Sequence, residues 1–301
     1  MVLKKKIRAR LEGKGMKVRS IKKTKGGFLY RISVPLTSSS TTPRFNIKLE
    51  DGSELIGIHK KSAKKEFGAL EKLGKDMELK ESFKVPKPCL LMEDEKVVIM
   101  EQIKGKSLSE LIVDYHFFLG PSKDQLEQVF KEIGSLLGFF HRWNKTGNDM
   151  ELTGVIRKSL EKVRADLPDD ITKEIDCIDM KGEVLPEVYI HGDIGLGNII
   201  HSEKLGLVDW TGLKRSWPLR DLSRFKSLLK RKNKYCFRIN LERFFNLLLD
   251  SYQETVEFGF DKNTMYLSDL ARLLHKIERN PERAKRKKYL KLLESSLEKI
   301  E

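Results

Sequence analysis

Three side chains within one short stretch have the types and the spacing to act on a phosphate. In VYIHGDIGLGNIIHSEKLGLVDWTGLKRSWPLRD, residues 188–221, Asp193 closes the run His191-Gly192-Asp193. Asn198 follows five residues later, and Asp209 ends the apolar run LGLV. A carboxylate can take the proton of a hydroxyl that attacks phosphorus. A second carboxylate and an amide oxygen are the hard donors that Mg²⁺ accepts beside nucleotide phosphates, while it keeps several waters. Phosphoryl transfer is mainly positioning and charge stabilisation, and its kinase form spaces a base Asp, an Asn five residues on and a later metal-binding Asp in this way. Asp193 is therefore the expected base, with Asn198 and Asp209 the expected Mg²⁺ ligands. The plain alternative is that these are ordinary turn and strand-end residues.

These groups need supports. Val188–Ile190 is a short apolar strand that runs into the His-Gly-Asp turn. Asn198 opens a second strand, NII, and a turn at Glu203-Lys204 leads to LGLV, so one hairpin delivers all three groups to one rim. His191 is expected to hydrogen-bond to backbone and shape its loop. Asp221 sits where a helix starts and is expected to cap it. Trp210 and Trp217 read as core or pocket wall.

The first hundred residues read as strands with one helix: strands at 17–23, 28–36 (FLYRISVPL), 44–49 (RFNIKL), 89–92 and 97–103. In KSAKKEFGALEKL, residues 61–73, Ala63, Phe67 and Leu70 recur at helical spacing. Glu66 falls inside that apolar stripe, and a carboxylate on a core face demands a partner. Kinases pair such a Glu with a strand Lys that holds the α- and β-phosphates. Strand order favours Lys48 for that role, with Lys60 in LIGIHK as its rival. Gly26-Gly27 is the turn expected over the phosphates, although it lacks the G-x-G-x-x-G pattern. Beyond residue 104 the pattern turns helical. Pro121-Ser122 with Gln125 announces a capped helix whose apolar face is Leu126, Val129, Phe130, Ile133, Leu137 and Phe140. The only strand-like interlude in this half is 187–210.

HGDIGLGNII followed by LVDW resembles the signature of the aminoglycoside phosphotransferase-like kinases, which include choline, homoserine and fructosamine kinases. GSLLGFFHR, residues 134–142, is similar to that family's helix before the catalytic segment, and VVIMEQIKGKSL, residues 97–108, to its last amino-lobe strand and hinge. The resemblance implies an α+β, two-lobed protein-kinase-like fold: a small β-rich lobe, 1–103, for the nucleotide and a larger, mainly helical lobe, 104–301, for catalysis and substrate. It also implies ATP and Mg²⁺ as cofactors, transfer to a small-molecule hydroxyl, and adenine recognition by backbone groups of Glu101, Gln102 and Ile103.

Composition narrows the setting. Cys89, Cys177 and Cys236 form no CxxC pair, so neither a zinc site nor a disulfide framework is expected. No apolar run approaches the ~20 residues of a membrane span, and a cytoplasmic protein is expected. The net charge of +15 favours anionic partners. It points to a neutral or anionic acceptor rather than a polycation. Two other functions stay open at this stage. One is a protein Ser/Thr kinase, against which Asp209-Trp210-Thr211 replaces the usual DFG. The other is a basic nucleic-acid or membrane-surface binder on a kinase fold, although the basic clusters lack interleaved aromatic residues.

Overall fold

The computed structural model of the protein describes residues 2–25, 43–75, 82–178, 184–233, 239–279 and 283–297. The expected strand at 28–36 and the Gly26-Gly27 turn lie outside these residues, as does Cys236.

The chain opens with helix α1 (Val2–Glu12), followed by strands β1 (Val18–Lys25), β2 (Pro43–Leu49) and β3 (Glu54–His59). Helix α2 (Ala63–Leu73) precedes β4 (Pro88–Met92) and β5 (Val97–Glu101). The five strands form one antiparallel sheet in the order β1-β2-β3-β5-β4. Strand alternation sends Val97 and Ile99 to one face and Val98 and Met100 to the other. The first pair packs with Phe45, Ile47, Leu55 and the α1 residues Ile7 and Leu11. The second joins Ala63, Ala69, Leu70 and Leu73 of α2 in the main core. Helix α1 is a second helix in this region that periodicity did not announce. Of its eleven residues only Ile7 and Leu11 are buried, too few to mark an apolar stripe amid so much Lys and Arg.

After β6 (Lys106–Ser107) come α3 (Leu108–His116) and α4 (Lys123–Trp143). The α4 capping box forms as expected: Gln125 N–H donates to Ser122 Oγ at 3.2 Å, and Ser122 N–H donates to Gln125 Oε1 at 2.7 Å. All six residues of its expected apolar face are buried. The chain continues through β7 (Lys145–Glu151), α5 (Leu152–Val163), α6 (Asp169–Cys177), β8 (Val184–Ile190), β9 (Ile199–His201), β10 (Gly206–Leu207) and β11 (Lys214–Ser216). Helices α7 (Leu219–Asn233), α8 (Leu241–Thr255), α9 (Lys262–Glu278) and α10 (Arg283–Leu297) complete it. The expectation of one strand-like interlude here is too narrow. Strand β8 sits between β7 and β11 in a three-stranded sheet, and β9 sits between β10 and β6 in another. Strand β7, KTGNDME, is polar and mostly exposed, so it carries no alternating apolar signal.

Cys89 and Cys177 are free thiols. Among the described residues, no helix is long and apolar enough to cross a membrane.

Candidate active site

Strand β8 delivers the His191-Gly192-Asp193 turn. Gly192 has φ +73°, and a Cβ there would collide with the carbonyl oxygen of Gly212. A Cβ on Gly212 would in turn lie 2.6 Å from Asp193 N. Only glycine suits either position, and two loop backbones meet there without side chains between them. Buried His191 ties the same loops together: its Nε2 lies 3.1 Å from Val208 O, and Asp193 N–H reaches its Nδ1 at 3.4 Å. Burial pushes the His191 pKa down, so the ring is neutral at physiological pH.

Asn198 sits at the mouth of the β9–β10 hairpin. Its Nδ2 donates to Asp193 O at 3.0 Å, which leaves its Oδ1 for a cation. Its own carbonyl accepts from Val208 N–H at 3.0 Å. Asp209 follows directly, with φ +65°, a left-handed conformation that a non-glycine residue seldom takes and that concentrates at functional sites. A short 3₁₀ turn, Trp210–Gly212, follows.

The partner of Glu66 corrects an expectation. Lys48 is not its partner: Lys48 is exposed on β2 and pairs with Glu54 at 3.0 Å. Lys60 instead forms ion pairs with both Glu66 and Asp209 Oδ1, the latter at 3.0 Å. The reason is strand phase. Phe45, Ile47 and Leu49 of β2 face the core, so Lys48 between them must face out. The six residues from Lys60 to Glu66 are room enough, because a single turn, Ala63 N–H to Lys60 O at 3.1 Å, leads directly into α2.

Glu66 is fully buried, which pushes its carboxyl above the usual range, although Lys60 pulls the other way. Burial would raise Asp209 too, but the charge and hydrogen bond of Lys60, with the Thr211 hydroxyl at 2.8 Å, hold it below its ordinary value. Among the described residues no group of three His, Cys, Asp or Glu could hold a metal. A cation with two protein oxygens, from Asn198 and Asp209, and the rest from phosphate and water fits Mg²⁺ chemistry.

Two functional contacts escaped the sequence reading. Arg224 of α7 pairs with Asp193 Oδ1 and donates through Nε to Ile194 O at 3.0 Å, which leaves Asp193 Oδ2 for another partner. The spacing of Arg220 and Arg224, four residues apart at the start of α7, was the available signal. Asp221 does not cap α7. It lies inside the first turn, fully buried, and accepts from His191 N–H at 2.8 Å and Gly192 N–H at 2.9 Å. His141 Nε2 approaches it at 3.5 Å. Burial opposes the charge of Asp221, but these donors outweigh it and hold the carboxyl below its ordinary value. In the segment 101–103, Glu101 N–H donates to Lys87 O and Gln102 N–H to Glu54 O, so these two donors are already taken.

An antiparallel sheet backed by α2, set on a mainly helical part that carries the Asp193 and Asp209 loops, defines a protein of the protein-kinase-like fold class. The sequence profile of the phosphotransferase enzyme family matches residues 59–254, and the chain belongs to that family. Three solved structures resemble it over nearly their whole length. A macrolide 2′-phosphotransferase from Brachybacterium faecium is 13% identical, with 95% of this chain and 97% of that one covered at a TM-score of 0.60. A choline kinase from Streptococcus pneumoniae is 14% identical, with 99% and 100% covered at 0.56. A putative fructosamine-3-kinase from Thermobifida fusca is 15% identical, with 97% and 98% covered at 0.56. No curated protein sequence matches the chain significantly.

Proposed function

We propose that this protein is an ATP-dependent kinase that moves the γ-phosphate of ATP to a hydroxyl of a small molecule. The observation that carries this reading is Lys60, placed between Glu66 of α2 and Asp209 of the carboxy-terminal part. The three solved structures named above are described as a macrolide 2′-phosphotransferase, a choline kinase and a putative fructosamine-3-kinase, and the family is one of phosphotransferases.

In this reading residues 1–103 form the nucleotide lobe and 104–301 the catalytic and substrate lobe. Lys60, steadied by Glu66, contacts the nucleotide phosphates. Asn198 and Asp209 hold Mg²⁺, which when bound neutralises charge on those phosphates. Asp193 Oδ2 accepts the proton of the acceptor hydroxyl. The hydroxyl oxygen bonds to the γ-phosphorus, the bond from that phosphorus to the β,γ-bridging oxygen breaks, and ADP leaves. His191, Asn198 and Asp221 keep the Asp193 backbone in place. Near adenine, Ile103 offers the N–H that no backbone carbonyl takes among the described residues. The 3₁₀ turn and β11 fill the path from Asp209 to Asp221 without an activation-type loop, which favours a small acceptor over a protein.

The test is ATP affinity with and without Mg²⁺, in wild type and in Asp209→Ala. The expected result is a strong Mg²⁺ dependence that the variant loses. Equal dependence in both proteins would remove Asp209 from the metal site.

A further inference from the structure

We infer that the acceptor is itself an anion, a hydroxyl compound carrying a phosphate monoester, seated beside Asp193 by Arg220 and Arg279. This rests on the kinase reading and gives its acceptor a chemical class.

Helix α7 and the turn before it pack against α9. Trp217, just before α7, donates through Nε1 to Ser268 Oγ of α9 at 2.8 Å, and Ser223 Oγ bonds to the same oxygen at 3.0 Å. Arg220 and Arg224 are four residues apart on α7. Arg272, Lys276 and Arg279 recur at helical spacing along α9 and its end, which puts them on one side. Lys214 of β11 lies opposite Ile190, the residue before His191-Gly192-Asp193. Six cations therefore gather on two packed helices and a strand around the Asp193 turn, and Arg224 touches Asp193 itself.

The nearby acids are spent elsewhere. Asp193 takes Arg224. Asp269 takes Arg272 at 3.3 Å and Lys226 at 3.9 Å. Glu278 takes Lys162 at 2.8 Å and His275 at 3.2 Å. Asp221 is committed to the His191 and Gly192 amides. Among the described residues, no carboxylate lies within ion-pair distance of Lys214, Arg220 or Arg279. The Arg220 guanidinium instead lies 5.0 Å over the Trp217 ring. Buried Arg272 Nε and His275 Nε2 have no hydrogen-bond partner.

The crowding shows in their acidity. Burial, then repulsion from Arg279, lowers Arg220 to about 10. Burial, then Arg220 and Arg279, lowers Lys214 to about 8. Arg220 and Lys214 are partly buried while Arg279 is exposed, and cations drawn partly out of water beside one another are unfavourable until an anion arrives. Guanidinium forks suit phosphate oxygens in particular. The nucleotide has its own cation in Lys60, so this second cluster answers to a second phosphate. A polycationic acceptor would be repelled where it must react.

The experiment compares ribose 5-phosphate and glycerol 3-phosphate with ribose, glycerol, choline and kanamycin. It uses wild type and Arg220→Gln/Arg279→Gln. ATP consumption gives kcat and KM, and calorimetry gives binding of inorganic phosphate, of ribose 5-phosphate and of ATP with Mg²⁺. The phosphorylated compounds are expected to be preferred. The double variant should weaken their KM and binding about 10–100-fold, since charge-assisted bonds are worth ~1.5–3 kcal/mol. Its ATP affinity should stay within about two-fold, as expected for groups outside the nucleotide site. An equal loss of ATP affinity would reassign the cluster to the nucleotide and overturn the inference. So would preference for neutral or cationic acceptors, or absence of binding by every phosphate probe. If ATP fails to bind wild type while ribose 5-phosphate binds and the double variant abolishes that binding, the anion site stands and the kinase reading falls.

Discussion

Glu66 and Asp221 are both fully buried, one behind each half of the candidate site, yet their environments act on them in opposite directions. Glu66 faces a single cation, Lys60, which it shares with Asp209. Asp221 receives two backbone N–H groups and borders His141. Burial raises both; for Asp221 the hydrogen bond and charge of His141, with the amides, outweigh it, whereas for Glu66 the Lys60 charge and the Trp210 N–H do not, and Asp209 adds repulsion. Asp221 is built into the loop it supports. Glu66 is held at a cost, and its partner Lys60 is the residue that the proposed function gives to the nucleotide.

This contrast can be broken in order of effect. The largest loss belongs to the group that Asp221 positions at one remove. Asp193→Asn is expected to lower phosphoryl transfer by ~10²–10⁴-fold with little change in ATP affinity or melting temperature. Near-normal turnover would place the base elsewhere. Next comes Asp221→Ala, which strands two buried N–H groups at ~1–3 kcal/mol each. A loss of roughly 2–4 kcal/mol in urea unfolding is expected. A loss well under ~1 kcal/mol would show that the amides find other partners.

Glu66→Gln should change stability by less than about 1 kcal/mol, because a raised carboxyl gains little from ionisation. It should weaken ATP binding several-fold by freeing Lys60. The two carboxylates also predict opposite pH slopes. The contribution of Glu66 is full below its ordinary value of 4.5 and is lost as pH rises through its higher folded value. That of Asp221 is full above 3.8 and is lost as pH falls through its lower folded value. Stability differences from Glu66→Gln and Asp221→Asn, measured across this acid range, should therefore slope in opposite senses, and parallel slopes would refute the contrast. The smallest effect is expected for Lys48→Ala. It removes a surface pair worth ~0–1 kcal/mol and should leave nucleotide use intact, whereas Lys60→Ala should not.

Lys48 and Lys60 also show what the sequence can and cannot tell. The capped helix α4 and the order Asp193, Asn198, Asp209 were readable because caps and motif spacings are local. The lysine assignment depended on counting strands. LIGIHK is interrupted at Gly57, which presses against Phe45, Ile47 and Ile99 and has no side chain to report its own burial. With β3 unmarked, the lysine of β2 took the place of the one beyond β3. Asp221 misled in another way. A helix-start Asp resembles a cap, and only the distant approach of His191, Gly192 and His141 shows that it faces inward. Arg224 meets Asp193 only through the packing of α7; the spacing of Arg220 and Arg224 marks a pair of cations on one helix face but not the carboxylate that one of them reaches.

The seam between Gly192 and Gly212 has a mechanical consequence. With no room for even a methyl group between these backbones, the turn bearing Asp193 and the turn after Asp209 pack directly against one another. The two carboxylates ride on one stiff block, cross-braced by His191 and Asn198. Their spacing is then a property of the folded chain rather than something a ligand must organise on arrival.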